Sequence, residues 1–72
     1  MKIIVFGGSG FLGSFVAEEL STAGHQVTIF DLNTSPHLKS NQKMIVGDIL
    51  DQNKVNEAIM NQNVVYNFRF NT

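Results

Sequence analysis

The stretch from Lys2 to Gly13, KIIVFGGSGFLG, decides the fold of this 72-residue chain. Its first part, Lys2–Phe6, is a short apolar run rich in β-branched residues, and it stops at Gly7. A run of this kind is typical of a buried strand in a parallel sheet. Because a helical pattern begins directly after the glycines, the stretch predicts a strand, a tight turn and a helix in succession.

Three glycines of the turn are explained by the requirements of a dinucleotide-binding site. Gly7 permits the tight turn out of the strand, Gly10 lets a pyrophosphate approach the backbone, and Gly13 allows the helix to pack closely. The N–H groups near Phe11 and Leu12 then face the phosphates, because a helix N-terminus attracts anions. The strand before the turn and the helix after it supply the context that makes this glycine pattern informative.

The first helix is amphipathic in the sequence and has a clear stop signal. The residues predicted to face the sheet are spaced by three or four positions, namely Leu12, Val16, Leu20 and Ala23. Gly24 follows them in the position that a left-handed helix C-cap prefers.

The rest of the chain alternates strands and helices. We predict strands at Gln26–Phe30, Met44–Val46 and Asn63–Phe68, with a polar loop over Asn33–Lys43. A second helix is predicted to begin after Asp51, a favourable N-cap residue. Its apolar stripe consists of Val55, Ala58 and Ile59.

This alternation predicts an α/β fold with a parallel sheet. Right-handed crossovers place the first helix on one face while the chain steps outward from strand one to strand three. The chain must then reverse to reach the far side of strand one, so the second helix covers the opposite face. The predicted fold is therefore a Rossmann-type sheet with strand order 3-2-1-4, and nucleotides bind at the switch point between strands one and four.

Two acidic residues follow predicted strands. Asp31 stands at the end of the second strand, eighteen residues after Gly13. A carboxylate there accepts both hydroxyls of the adenosine ribose and repels the 2′-phosphate of NADP, which predicts NAD as the cofactor. Asp48 follows the third strand, and two interpretations stay open. It either pairs with the adenine amino group, with the backbone of Ile49 at the ring edge, or is a simple turn aspartate.

The segments IIVFGGSGFLGSFVAEEL, AGHQVTIFD and GDILD resemble the extended short-chain dehydrogenases/reductases, the group of NAD-dependent nucleotide-sugar epimerases and dehydratases. The resemblance extends from Lys2 to about Phe68 and implies that residues 1–72 are the N-terminal part of an NAD-binding domain. The cofactor-binding residues that it implies are Gly7, Gly10, Phe11 and Leu12 for the pyrophosphate, with Gly13 in the same motif, Asp31 for the ribose, and Asp48 with Ile49 for adenine.

The sequence departs from the family pattern in three respects. Leu32 stands where family members often have Asn after the ribose acid, and Arg69 and Phe70 stand where they have small residues. The Tyr-x-x-x-Lys pair of the family is absent, because Tyr66 is the one tyrosine and Phe70 lies four positions after it. We therefore assign no catalytic residue and expect a truncated, non-catalytic portion of such an enzyme.

Composition and charge limit the other function classes. The net charge is −1 and the five basic residues are scattered, so neither nucleic acid nor a membrane surface is a predicted partner. The uncharged stretch 3–17 is shorter than the roughly 18 residues of a membrane span. The chain has no cysteine, which agrees with a reducing compartment, and we expect a cytoplasmic protein. His25 and His37 have no clustered partners and are interpreted as surface residues rather than metal ligands.

Two alternative functions stay open at this point. One is a stand-alone, non-catalytic nucleotide-binding or assembly module, in which Arg69 and Phe70 belong to a partner interface. The other is a flavin or methyl-donor site, since those folds also combine a glycine turn with a strand-end acid. In addition, the fourth strand forms an apolar sheet edge without proline or lysine, so we expect the chain on its own either to self-associate through that edge or to unfold partially.

Overall fold

Four parallel strands form the sheet of residues 1–35 and 38–68, the part of the chain that the computed structural model describes. The elements in chain order are β1 (Lys2–Phe6), α1 (Phe11–Thr22), β2 (Gln26–Asp31), β3 (Gln42–Val46), α2 (Gln52–Ile59) and β4 (Val64–Asn67). The strand order is β3-β2-β1-β4, so the predicted topology is confirmed.

The two faces of the sheet carry separate apolar clusters. Along β1, Ile3 and Val5 pack on the side of α1, while Ile4 and Phe6 pack on the side of α2, because successive side chains of a strand alternate between faces. The Phe6 and Phe30 rings meet on the α2 side, with centroids 5.0 Å apart. Each face is thus covered by its own helix, as the right-handed crossovers predict.

The face of α1 that packs on the sheet differs from the predicted one. Its buried residues are small and lie four positions apart, namely Gly13, Ala17 and Ser21. Leu12 is 54% exposed, and Ala23 is exposed beyond the last helical residue. The prediction was wrong for these two residues because it followed the long apolar side chains, whereas this helix lies too close to the strands for them. Val16 and Leu20 are half-buried beside the small residues.

The C-terminal end of α1 is confirmed at Gly24. Its φ is +94°, in the left-handed region that favours glycine. The Gly24 N–H donates to the Ser21 carbonyl at 3.0 Å, and the His25 N–H donates to the Leu20 carbonyl at 3.2 Å. This pair of hydrogen bonds is the Schellman motif, which satisfies carbonyl groups that the helix would otherwise leave unpaired.

The start of α2 is also confirmed, while four strand boundaries shift, among them the end of β2, which lies at Asp31 rather than at the predicted Phe30. The Asp51 side chain accepts the Lys54 N–H at 3.2 Å and so caps the helix. β3 begins at Gln42, two residues before the predicted start, and this polar residue is accommodated because its Nε2 donates to the Ser21 hydroxyl of α1 at 2.8 Å. β4 is shorter than the predicted Asn63–Phe68 and covers Val64–Asn67. Within residues 1–35 and 38–68, neither helix has the length and apolar character that a membrane crossing needs.

Gly13 gives a direct test of the close packing. A Cβ on this residue would lie 2.8 Å from the Gly7 carbonyl carbon and still closer to its oxygen. We expect Gly13→Ala to lower the free energy of unfolding by about 1–3 kcal/mol, because backbone cannot move aside as a side chain can. Because the clash is with backbone, we expect the loss to lie in the upper part of this range and so to exceed the gain of roughly 1 kcal/mol in helix propensity.

Urea denaturation monitored by circular dichroism measures the effect. Gly10→Ala is the matched control, since its Cβ would come no nearer than 3.4 Å to the Gly7 oxygen. A Gly13→Ala midpoint equal to or above that of the unmodified chain would contradict the packing argument.

Candidate functional site

The glycine turn begins where β1 ends. Gly7 has a φ of +80°, which an L side chain rarely adopts. Its N–H donates to the Phe30 carbonyl at 2.8 Å, and its own carbonyl accepts the Gly10 N–H at 3.1 Å. Gly7 therefore adds one more hydrogen bond to the β1–β2 pairing and then turns the chain directly into α1.

The N-terminus of α1 carries no side-chain cap. Gly10 is the N-cap residue, and the helix makes its first backbone hydrogen bond from the Ser14 N–H to the Gly10 carbonyl at 2.8 Å. The N–H groups of Phe11, Leu12 and Gly13 precede that bond and belong to the donors that a helix cannot satisfy internally. Together with the positive end of the helix dipole, they form a place that favours an anionic group.

The space around Gly10 is open, while the space around Gly8 is filled. Among the described residues, a Cβ on Gly10 would meet only the Gly7 carbonyl oxygen within 4 Å. A Cβ on Gly8 would lie 2.6 Å from Cγ2 of Ile29. Gly8 is therefore fixed by packing against β2, and Gly10 is the position at which the backbone stays accessible to a ligand.

Asp31 connects the end of β2 to the glycine turn. Its side chain is largely buried, with the residue 7% exposed, and Oδ2 accepts the Ser9 N–H at 3.1 Å. Oδ1 accepts the Asn33 N–H at 3.2 Å. A carboxylate offers about four acceptor positions. The two backbone donors therefore orient Asp31 and leave acceptor positions for a further pair of donors.

A small cavity of about 10 Å³ lies at the carboxyl edge of the sheet. It is lined by Phe6, Gly7, Phe30, Asp31, Leu32, Gly47 and Ile49. The cavity brings together Gly7, Asp31 and Ile49, which the sequence analysis selected separately. Gly47 is a lining residue that sequence reasoning missed, although its place directly after a strand and before Asp48 was a usable signal.

Asp48 lies beside this cavity rather than in its wall. Its Oδ1 accepts the Leu50 N–H at 2.9 Å, which is an Asx turn leading toward α2. The residue as a whole is exposed to solvent. This geometry is compatible with both interpretations of Asp48, and its contact with adenine stays a prediction.

A larger groove of about 660 Å³ lies on the other side of the glycine turn, between α1 and the β2–β3 connection. Ser9 and Ser35 meet at its rim, with their hydroxyl oxygens 2.9 Å apart. Phe11, the first residue of α1, lines the groove and is 96% exposed. Sequence reasoning missed the Ser9–Ser35 contact, because nothing in the sequence relates residues twenty-six positions apart.

Several predicted features fall outside this site. The imidazole Nδ1 of His25 lies 3.1 Å from the amino group of Met1, at the opposite edge of the sheet. His37, Arg69 and Phe70 lie outside the described residues. In the part of the chain that is described, His, Asp and Glu side chains form no group of three that could hold a metal ion.

Comparison with known proteins agrees with this geometry. The model of the NAD dependent epimerase/dehydratase family matches residues 3–71. The UDP-N-acetyl-alpha-D-glucosaminuronate decarboxylase of Bacillus cytotoxicus is 37% identical over 71 aligned residues, which cover 90% of this chain and 22% of that protein.

Two solved structures show the same fold with a dinucleotide bound. The dTDP-glucose 4,6-dehydratase of Bacillus anthracis, in complex with NAD, superimposes with a TM-score of 0.80 and 25% sequence identity. The match covers 99% of this chain and 27% of the dehydratase. A short-chain dehydrogenase/reductase superfamily protein from Agrobacterium tumefaciens, with bound NAD, superimposes with a TM-score of 0.85 and 29% sequence identity. The match covers all of this chain and 21% of that protein. The chain spans about a quarter of the length of such relatives or less.

Proposed function

The chain belongs to the NAD dependent epimerase/dehydratase family, and we propose that it is the NAD-binding portion of a nucleotide-sugar epimerase, dehydratase or related oxidoreductase. NAD is the cofactor of this family, and two similar structures contain it. When bound, NAD supplies a hydride acceptor, while residues 1–72 bind and orient it as part of one NAD-binding domain. We assign no catalytic residue to this chain. The substrate and the reaction belong to the whole enzyme and are part of the proposal.

One observation carries the proposal. The Asp31 carboxylate and the uncapped N-terminus of α1 lie at the same edge of the sheet, joined by the hydrogen bond from the Ser9 N–H. An acceptor for ribose hydroxyls therefore stands beside donors for phosphate oxygens. In a dinucleotide the adenosine ribose is likewise bonded directly to the pyrophosphate, so one bound molecule can contact both groups of the protein.

The proposed roles follow from these positions. The turn and the first helical residues hold the pyrophosphate, Asp31 holds the adenosine ribose, and the β3–α2 connection holds adenine. The pyrophosphate residues are Gly7, Gly10, Phe11, Leu12 and Gly13, and the adenine residues are Asp48 and Ile49. The open space at Gly10 and the free acceptor positions of Asp31 support this assignment.

Of the alternatives, the flavin or methyl-donor site loses support, because the matching family depends on NAD. The assembly module keeps one specific observation in its favour. Within residues 1–35 and 38–68, β4 pairs with β1 alone among the strands, and Val65 on it is 50% exposed. We therefore also propose self-association through β4. The cytoplasmic location stays a prediction.

The pyrophosphate assignment is tested at Gly10. We expect Gly10→Val to bring NAD binding below detection, because the isopropyl group fills the space of the pyrophosphate. The fold is expected to persist, with a loss of about 1 kcal/mol at most from the poorer N-cap. Calorimetric titration with NAD and circular dichroism measure the two effects. Thr22→Val, on an exposed position of α1, is the control, and unchanged NAD affinity in Gly10→Val would place the phosphates elsewhere.

The choice between NAD and NADP is tested at Asp31. We expect the unmodified chain to prefer NAD, and Asp31→Asn to reduce that preference by about tenfold or more, since opposed like charges cost several kcal/mol. Titration of both cofactors against both proteins gives the ratio of dissociation constants. Glu57→Gln is the control, because it removes an equal charge from an exposed position of α2 that has no proposed role in binding. Equal binding of NAD and NADP by the unmodified chain would contradict the role of Asp31.

Self-association is tested on β4. We expect the sedimentation coefficient to rise with protein concentration, and Val65→Lys to suppress the rise, because a lysine on an edge strand opposes further strand pairing. Thr22→Lys adds the same charge on α1 and is expected to leave association unchanged. A compact monomer at every concentration would refute the proposal.

A further inference from the structure

Lys54 occupies a position at which a positive charge is unfavourable. It lies in the first turn of α2, and its N–H donates to the capping side chain of Asp51 at 3.2 Å. The helix dipole presents its positive end in this turn, which favours acidic residues and disfavours a lysine. A favourable contact of the ammonium group is therefore needed to offset its unfavourable interaction with the helix dipole.

The ammonium group makes that contact with β3. Lys54 Nζ donates to the Val46 carbonyl at 2.7 Å. The neighbouring residue Gly47 uses its N–H to bond the Asp31 carbonyl of β2 at 3.0 Å, so the Val46 carbonyl points to the open edge of the sheet. Lys54 thus ties the first turn of α2 to the last residue of β3.

The aliphatic part of the same side chain packs on Gly47. A Cβ on Gly47 would lie 3.0 Å from Lys54 Cδ and 2.9 Å from Phe30 Cζ, so Lys54 and the Phe30 ring enclose this glycine. Gly47 also lines the small cavity together with Asp31 and Ile49. Lys54 therefore contacts a residue that forms part of the cavity wall beside Asp31.

We infer that Lys54 is a positioning residue for the adenosine half of the dinucleotide, an inference that rests on the proposed function. Its hydrogen bond to Val46 and its packing on Gly47 fix the β3–α2 connection, and with it the Asp48 side chain proposed for the adenine amino group and the Ile49 backbone proposed for the ring edge. The hydrogen bonds of Lys54 to Asp51 and Val46 and its packing on Gly47 all lie at the β3–α2 connection. Its influence is confined to the adenosine end of the site.

The test uses the full chain and three ligands measured by ligand-detected NMR: NAD, AMP and nicotinamide mononucleotide. AMP carries the adenosine half and nicotinamide mononucleotide does not, while both carry a phosphate monoester. Lys54→Met keeps the aliphatic stem and removes the donor, and Lys54→Arg restores a donor. Lys43→Met removes an equal charge from an exposed position on β3 and is the matched control.

We expect Lys54→Met to weaken AMP and NAD by about threefold to tenfold, the range of one net hydrogen bond. Nicotinamide mononucleotide should stay within about twofold, and Lys54→Arg should recover AMP affinity. Unchanged AMP affinity in Lys54→Met would overturn the inference and leave the proposed function standing. Equal weakening of AMP and nicotinamide mononucleotide would also overturn it, because the effect would then be one of stability or total charge. Absence of NAD and AMP binding by the unmodified chain would refute the proposed function, and this inference with it.

Discussion

The first turn of α1 lies against the end of β1 with backbone touching backbone, since no Cβ fits between Gly13 and the Gly7 carbonyl. This contact fixes the distance of the helix from the sheet, and it explains why the buried face of α1 consists of Gly13, Ala17 and Ser21. A helix held so close has its N-terminus directly above the carboxyl edge of the strands. The unpaired N–H groups are therefore placed where Asp31 ends the next strand.

The Ser9 N–H fixes the position of the Asp31 side chain relative to the glycine turn. It is directed at Asp31 Oδ2, so the glycine turn and the end of β2 share one hydrogen bond. The bond has two consequences of different kinds. It satisfies a backbone donor in a partly buried place, and it orients a carboxylate whose other acceptor positions stay available. Asp31 is thus a structural residue of the turn as well as the proposed ribose ligand, and the two roles use different lone pairs.

Local signals in the sequence were sufficient for the topology. The strand order followed from the alternation of strands and helices and from the handedness of the crossovers. The C-terminus of α1 before Gly24 and the N-terminus of α2 after Asp51 followed from the capping preferences of those two residues. The packed face of α1 could not be predicted in the same way, because counting apolar residues favours Leu12 over Gly13. The contact of Lys54 with Val46 could not be predicted from the sequence for another reason. Its acceptor is a backbone carbonyl, and any residue type supplies one.

The connection from β2 to β3 is held by different contacts at the two edges of the sheet. At the amino edge, side-chain amides hold the connection to α1: Asn41 Nδ2 donates to the Ser21 carbonyl at 2.8 Å, and Gln42 Nε2 donates to the Ser21 hydroxyl at 2.8 Å. At the carboxyl edge the same connection is joined to the glycine turn by the Ser9–Ser35 hydroxyl contact. The connection is therefore anchored to α1 at the amino edge by two side-chain amides, and to the glycine turn at the carboxyl edge by one pair of hydroxyl groups.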